Sequence, residues 1–225
     1  MKLHAKPLFN PAARMLSAVL LLAAVAGCSK KEEVVAPTIS NEALTTVTLH
    51  LVNNGDASNV VTAQWEELLD NKGQPLPVDV SQASLTLRAG ATYTGQLGVL
   101  DKSQTPTFDV GKEIAETRTT YHHFFYQPLP STSPFVIPAP MGAETYPSPI
   151  PTPLPASSAL NLTITTTDFD TNKNPLPLGL QTRFVAGAAG TGYLRLVLRH
   201  QPNTKDGTYA PGSTDLDVGF NVTIQ

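Results

Sequence analysis

Cysteine is almost missing: Cys28 is the only one in 225 residues. No intramolecular disulfide can therefore hold the fold, and an apolar core must do so. Charge is sparse as well, at 15% of residues with a net charge of −3. That leaves no basic face to meet phosphates, which argues against nucleic acid as a partner. The longest apolar run, residues 16–25, is shorter than the about 20 residues a helix needs to cross a bilayer. Enzymatic signatures are lacking too. There is no GxSxG elbow, no HExxH, no phosphate-cradling glycine loop and no second cysteine for nucleophilic work. The expectation is a non-enzymatic protein that requires no cofactor.

What is present begins with an address. Residues 1–27 have the form of a secretory leader: Lys2, Lys6 and Arg14, then the apolar run, then the small residue Gly27. Val25-Ala26-Gly27-Cys28 resembles the bacterial lipobox. The resemblance implies that Cys28 is acylated, becomes the first residue of the mature chain and ties it to a membrane. More than one acyl chain is needed, because a single chain gives only marginal residence. Ser29 stands where an Asp would favour inner-membrane retention. Lys30-Lys31-Glu32-Glu33 resembles the Lys-acidic export signal of surface lipoproteins in the Bacteroidetes, which implies the outer membrane and exposure at the cell surface. The ordinary alternative is a charged, solvated tether. Residues 28–43, with Pro37 and Ser40, have little to bury and read as that tether.

The remainder, residues 44–225, reads as one all-β domain. Strands show as period-two alternation. Val47, Leu49 and Leu51 share a face, as do Val61, Ala63 and Trp65. Tyr93, Leu97 and Val99 form another set, in the second of two strands placed about Ala89-Gly90. Leu160, Leu162 and Ile164 follow, and a weaker strand covers residues 180–186. "GAAGTG" (187–192) turns into Leu194, Leu196 and Leu198, with Arg195 and Arg199 opposite. Leu216, Val218, Phe220, Val222 and Ile224 close the chain, with Asp217 on the solvent face. Half-buried strands of this kind belong to antiparallel sheets. Their number and spacing predict a β-sandwich, immunoglobulin-like in outline, with a small closed barrel as the alternative.

Two stretches break the alternation. Val110, Ile114, Thr117 and Tyr121 have near-helical spacing, so a short helical turn is expected before "HHFFYQ". Residues 128–155 then hold half of the twenty prolines. Proline lacks the donor a sheet needs and favours extended geometry. This passage reads as a long surface excursion, or alternatively as a linker between two domains.

"LPLGLQTRFVAGAAGTGYLRLVLRHQPNTKDG", followed by "GSTDLDVGFNVTIQ", resembles a group of small outer-membrane lipoproteins of the Bacteroidetes. They are often labelled "type 1 periplasmic binding fold superfamily protein". "LTTVTLHLVN" and "HHFFYQ" fit the same group, so the resemblance spans most of residues 28–225. It implies an envelope protein but carries no activity to transfer. The label implies two α/β lobes of repeated βαβ units, whereas the residues themselves predict strands.

Three groups of residues are candidates for chemistry. His122 and His123 adjoin Phe124, Phe125 and Tyr126. Neighbours in a strand point to opposite faces, so one histidine at most serves a given site. It can ligate a metal ion or a haem iron, with Phe125 and Tyr126 as apolar wall. The ordinary alternative is a core filled by the phenylalanines. His200 lies in phase with Leu194, Leu196 and Leu198, where it can meet loop residues such as Asp206. Asp168, Asp170 and Asn172 alternate as oxygen ligands do at the start of a calcium loop, but the glycine and the final acid of that loop are missing. Turn formation is their ordinary role. Glu66-Glu67, Asp215 and Asp217 add carboxylates that nothing in the sequence pairs.

The function expected is a non-catalytic, lipid-anchored binding module accessory to nutrient uptake. It would serve a TonB-dependent outer-membrane transporter and capture a metal chelate, haem or a glycan. The alternative is a structural or adhesion module that meets other proteins.

Overall fold

The computed structural model describes residues 44–130 and 160–225. The expected leader, the expected tether with Cys28 and most of the proline passage lie outside them. The described residues belong to one compact unit, Ile39–Gln225.

The first sheet is built around β1 (Thr46–Asn53), flanked by β2 (Val60–Glu66) and β4 (Thr92–Asp101). Its rungs explain the alternation. Val47 stands opposite both Trp65 and Val99, and Leu49 opposite both Ala63 and Leu97. All six side chains are buried, and apolar pairs of this kind stabilise a sheet rung by rung. β8 (Gln181–Ala186) and β7 (Leu162–Thr166) continue the sheet beyond β4, and the two-residue β5 (Phe108–Asp109) pairs with the end of β4. The second sheet has the order β3 (Ser84–Leu87), β10 (Ser213–Ile224), β9 (Gly190–His200), β6 (His122–Pro130). Leu194, Leu196 and Leu198 of β9 oppose Phe220, Val218 and Leu216 of β10. They join β1, β2 and β4 in one apolar cluster between the sheets. Each fully buried side chain there contributes about 1.5–3 kcal/mol.

The chain changes sheets at Ala89-Gly90. β4 enters the first sheet, while β3 pairs with β10 in the second. That β3–β10 pair is parallel, an exception to the antiparallel pattern expected throughout. Strands from either side of the proline passage pair with one another in both sheets: β4 with β8, β6 with β9, and β3 with β10. The proline passage also starts later than expected. Pro128 and Pro130 lie in β6, opposite Leu194 and Gly192. β6 is an edge strand, where alternate residues need no partner for an N–H, so prolines spaced by two fit.

The expected helical turn is α1 (Val110–Thr117). Asp109 caps it by accepting from the Lys112 N–H at 2.8 Å, a contact worth about 1 kcal/mol. Val110, Gly111 and Ile114 are its buried face. Arg118 ends it by donating its N–H to the Ile114 carbonyl.

The outer side of the second sheet is not a solvated face. Asp217, expected in solvent from its phase, accepts two bonds from Arg195 Nε at 3.0 Å, and its side chain is only 3% exposed. Loop 201–212 folds over the same side and brings Tyr209 onto Val197 and Phe125. Arg199 holds that loop through the carbonyls of Pro211 and Gly212, at 3.1 and 2.6 Å. Strand alternation reports two faces but not what covers the second.

Candidate functional site

The first residue of β6, the last of β9 and the start of β10 meet on neighbouring rungs. His122 is directly opposite His200, and His200 is opposite Ser213. Both histidines are in phase with core residues, Phe124 on β6 and Leu198 on β9, so their rings turn inward. The rings sit edge to face with centroids 4.8 Å apart.

Asp215 completes the group. The β9–β10 register shifts between Thr214 and Leu216, leaving Asp215 as the extra residue of a β-bulge. Bulges re-aim side chains. Here the carboxylate comes to the histidines although its alternation with Leu216 points it away. Its Oδ2 is 3.5 Å from His122 Nε2 and 3.4 Å from His200 Nδ1. Burial raises the Asp215 carboxyl pKa, but the two imidazoles outweigh that, and the net shift is downward. Just before β10, Gly212 lies close against the end of β9. Its φ is +82°, and a Cβ there would lie 1.9 Å from the His200 carbonyl oxygen.

The tautomer of His122 follows from its other partner. Nδ1 lies 3.2 Å from the carbonyl oxygen of Arg118, just past the end of α1. A carbonyl only accepts, so Nδ1 carries the hydrogen. Nε2 is then the ring nitrogen that faces Asp215. His122 is 3% exposed, while the side chains of His200 and Asp215 are 15% and 16% exposed. The group therefore has an enclosed end and an open one. Asp215 Oδ1, in contrast, is buried without a hydrogen-bond partner.

The other candidates lie elsewhere. His123 faces the outer side, stacked on Phe125 with ring centroids 3.8 Å apart. Burial, with Lys205 nearby, lowers its pKa to about 4, against a smaller opposing effect of Asp170. Tyr126 turns inward, donating its hydroxyl to the Gly179 carbonyl at 2.7 Å and meeting Phe184 edge to face. Burial, then the Asp168 charge, raises the pKa of that hydroxyl. His122, His123, Phe125 and Tyr126 thus divide between two faces and make no single pocket wall. His200 meets Asp215 rather than Asp206, whose carboxylate binds the N–H and hydroxyl of Thr208.

The Asp168–Asp170–Asn172 group folds as a turn. Asp168 accepts from the N–H groups of Gly179 and Leu180 at 2.9 and 3.0 Å. Asp170 accepts from the N–H groups of Asn172 and Leu176, and its other oxygen meets Lys205 Nζ at 3.0 Å. An ammonium stands where a calcium reading needs the ion, so that reading is not carried further. Among the described residues, His122, His200 and Asp215 are the one group of three or more His, Cys, Asp or Glu with ligand atoms close enough to share a metal, all within 4.8 Å of one another.

No protein-family model, no curated protein and no solved structure matches the chain.

Proposed function

We propose that this protein is a non-catalytic lipoprotein, anchored through Cys28 at the outer membrane, whose immunoglobulin-like sandwich is a binding module for nutrient uptake beside an outer-membrane transporter. The small Bacteroidetes lipoproteins that the sequence resembles fit that reading. The observation that carries it is the His122–His200–Asp215 group. Two inward-turned imidazoles and a bulge-directed carboxylate gather at one end of the second sheet, with one side open to solvent.

The address and the binding role are tested separately. Radiolabelled palmitate should enter the wild-type chain and be lost in Cys28→Ala. Protease treatment of whole cells should cleave the protein if it is displayed at the surface, and an intact protein would place it in the inner leaflet. For binding, the purified chain is titrated with metal ions, haemin and oligosaccharides. A calorimetric or spectral response that His200→Ala abolishes supports the role. Co-purified protein partners without any small ligand would favour an adhesion module instead.

A further inference from the structure

We propose that His122, His200 and Asp215 form a binding site for a single divalent transition-metal ion of the Zn2+ type, ligated by His122 Nε2, His200 Nδ1 and an Asp215 carboxylate oxygen. This assigns a ligand class to the binding module proposed above and rests on that reading only for its biological role.

The distances favour a metal over a hydrogen bond. A charged imidazole bound to a carboxylate draws in to about 2.7–2.9 Å. The two separations here are 3.5 and 3.4 Å. Ligands held at 2.0–2.1 Å around a tetrahedral ion stand about 3.3–3.4 Å apart, which both separations match to a few tenths of an ångström. The remaining separation, between the two imidazole nitrogens, is within 4.8 Å, so the solvent-side His200 ring must tilt inward to close the triangle.

Outer contacts agree. Metal-ligating histidines commonly donate the second ring N–H to a backbone carbonyl, which sets the tautomer and aims the lone pair. His122 makes that contact with Arg118 at 3.2 Å. Asp215 Oδ1 is buried and has no hydrogen-bond partner. An ion bound at Oδ2 offsets the charge that the carboxylate shares with this enclosed oxygen.

The donor set selects the class of ion. Two imidazoles and one carboxylate suit borderline divalent ions, whereas calcium and magnesium prefer oxygen throughout. Three protein ligands leave the fourth tetrahedral position open to water, on the side where His200 and Asp215 are partly exposed. Haem is disfavoured: His122 is enclosed and the His200 ring packs against it edge to face, leaving no slot for a macrocycle.

The test uses the intact chain in detergent, stripped with a chelator and titrated with Zn2+ by calorimetry and with Co2+ by visible absorption. One ion per chain is expected, with tetrahedral Co2+ bands. His200→Ala and Asp215→Asn should each weaken Zn2+ at least about tenfold, while His50→Ala, on the other sheet, should leave it unchanged. In wild-type NMR spectra, Zn2+ should shift the imidazole nitrogens of His122 and His200 and leave His123 in place. That readout stands even if a variant misfolds. Absence of stoichiometric Zn2+ or Co2+ binding, or binding that leaves those two rings unmoved, overturns the site. Haemin or glycan binding without Zn2+ binding overturns the site alone and leaves the broader binding role standing.

Discussion

Lys205 Nζ lies 3.0 Å from Asp170 Oδ2, and the two side chains are 2% and 0% exposed. This pair joins the loop after β7 to the loop after β9. The ammonium also donates to the Thr119 carbonyl at 3.0 Å, so three segments meet at one buried charge. Removing one partner of such a pair leaves the other charge enclosed. Lys205→Met should therefore cost about 3–5 kcal/mol, and adding Asp170→Asn should restore much of that. Urea unfolding of both single variants and the double variant measures the coupling. Independent, additive losses would show that the pair does not act as a unit.

His123 makes stability depend on pH. Its folded pKa is lowered from 6.5 to about 4, so the unfolded chain takes up a proton that the folded chain refuses. Stability is full above pH 6.5, falls as the pH drops toward about 4, and levels off below that. The loss from this group is about 3 kcal/mol. His123→Leu should flatten the slope in that window, as read from urea midpoints between pH 7 and 4, and an unchanged slope would assign the dependence to other groups.

Gly212 is irreplaceable on two counts, a φ of +82° and a Cβ position 1.9 Å from the His200 carbonyl oxygen. The backbone conformation alone costs a non-glycine residue about 1–2 kcal/mol, and the overlap adds to it. Gly212→Ala should destabilise the fold by more than about 2 kcal/mol. It should also perturb the His200 imidazole resonances, because that carbonyl must move. A Cβ at Gly190 meets nothing within 4 Å, so Gly190→Ala is the matched comparison and should lie near wild type.

Asp109→Ala removes the cap of α1, whose end presents the Arg118 carbonyl to His122. A loss of about 1 kcal/mol is expected, together with a change in the His122 Nδ1 environment. Thermal melts and imidazole NMR read the two effects. A stability loss with the His122 signals unmoved would separate the helix from the site.

Much of the fold was legible because burial in a sheet repeats every two residues. Val47, Leu49 and Leu51, and Leu216 to Ile224 on the last strand, follow that period onto the core. The rule fails where a strand carries an extra residue or where both faces are covered. Asp215 reads as outward by phase, yet the bulge turns it to the histidines. Asp217 reads as solvated, yet Arg195 covers it. A further device is also silent in the chain: a tight turn at Ala89-Gly90 looks the same whether the next strand stays in its sheet or crosses to the other.

The order of amino acids by itself determined the local matters: which stretches extend, which side of each strand is oily, that one helical segment interrupts them, and that no sulfur bridge helps. Local sterics and hydrophobicity act over a few neighbours, so they can be read from a few letters. Tertiary structure alone decided that His122 and His200, 78 positions apart, share a rung, and that Asp215 turns to meet them. Strand partners and bulges come from the packing of two whole sheets against each other, and no short segment contains that information.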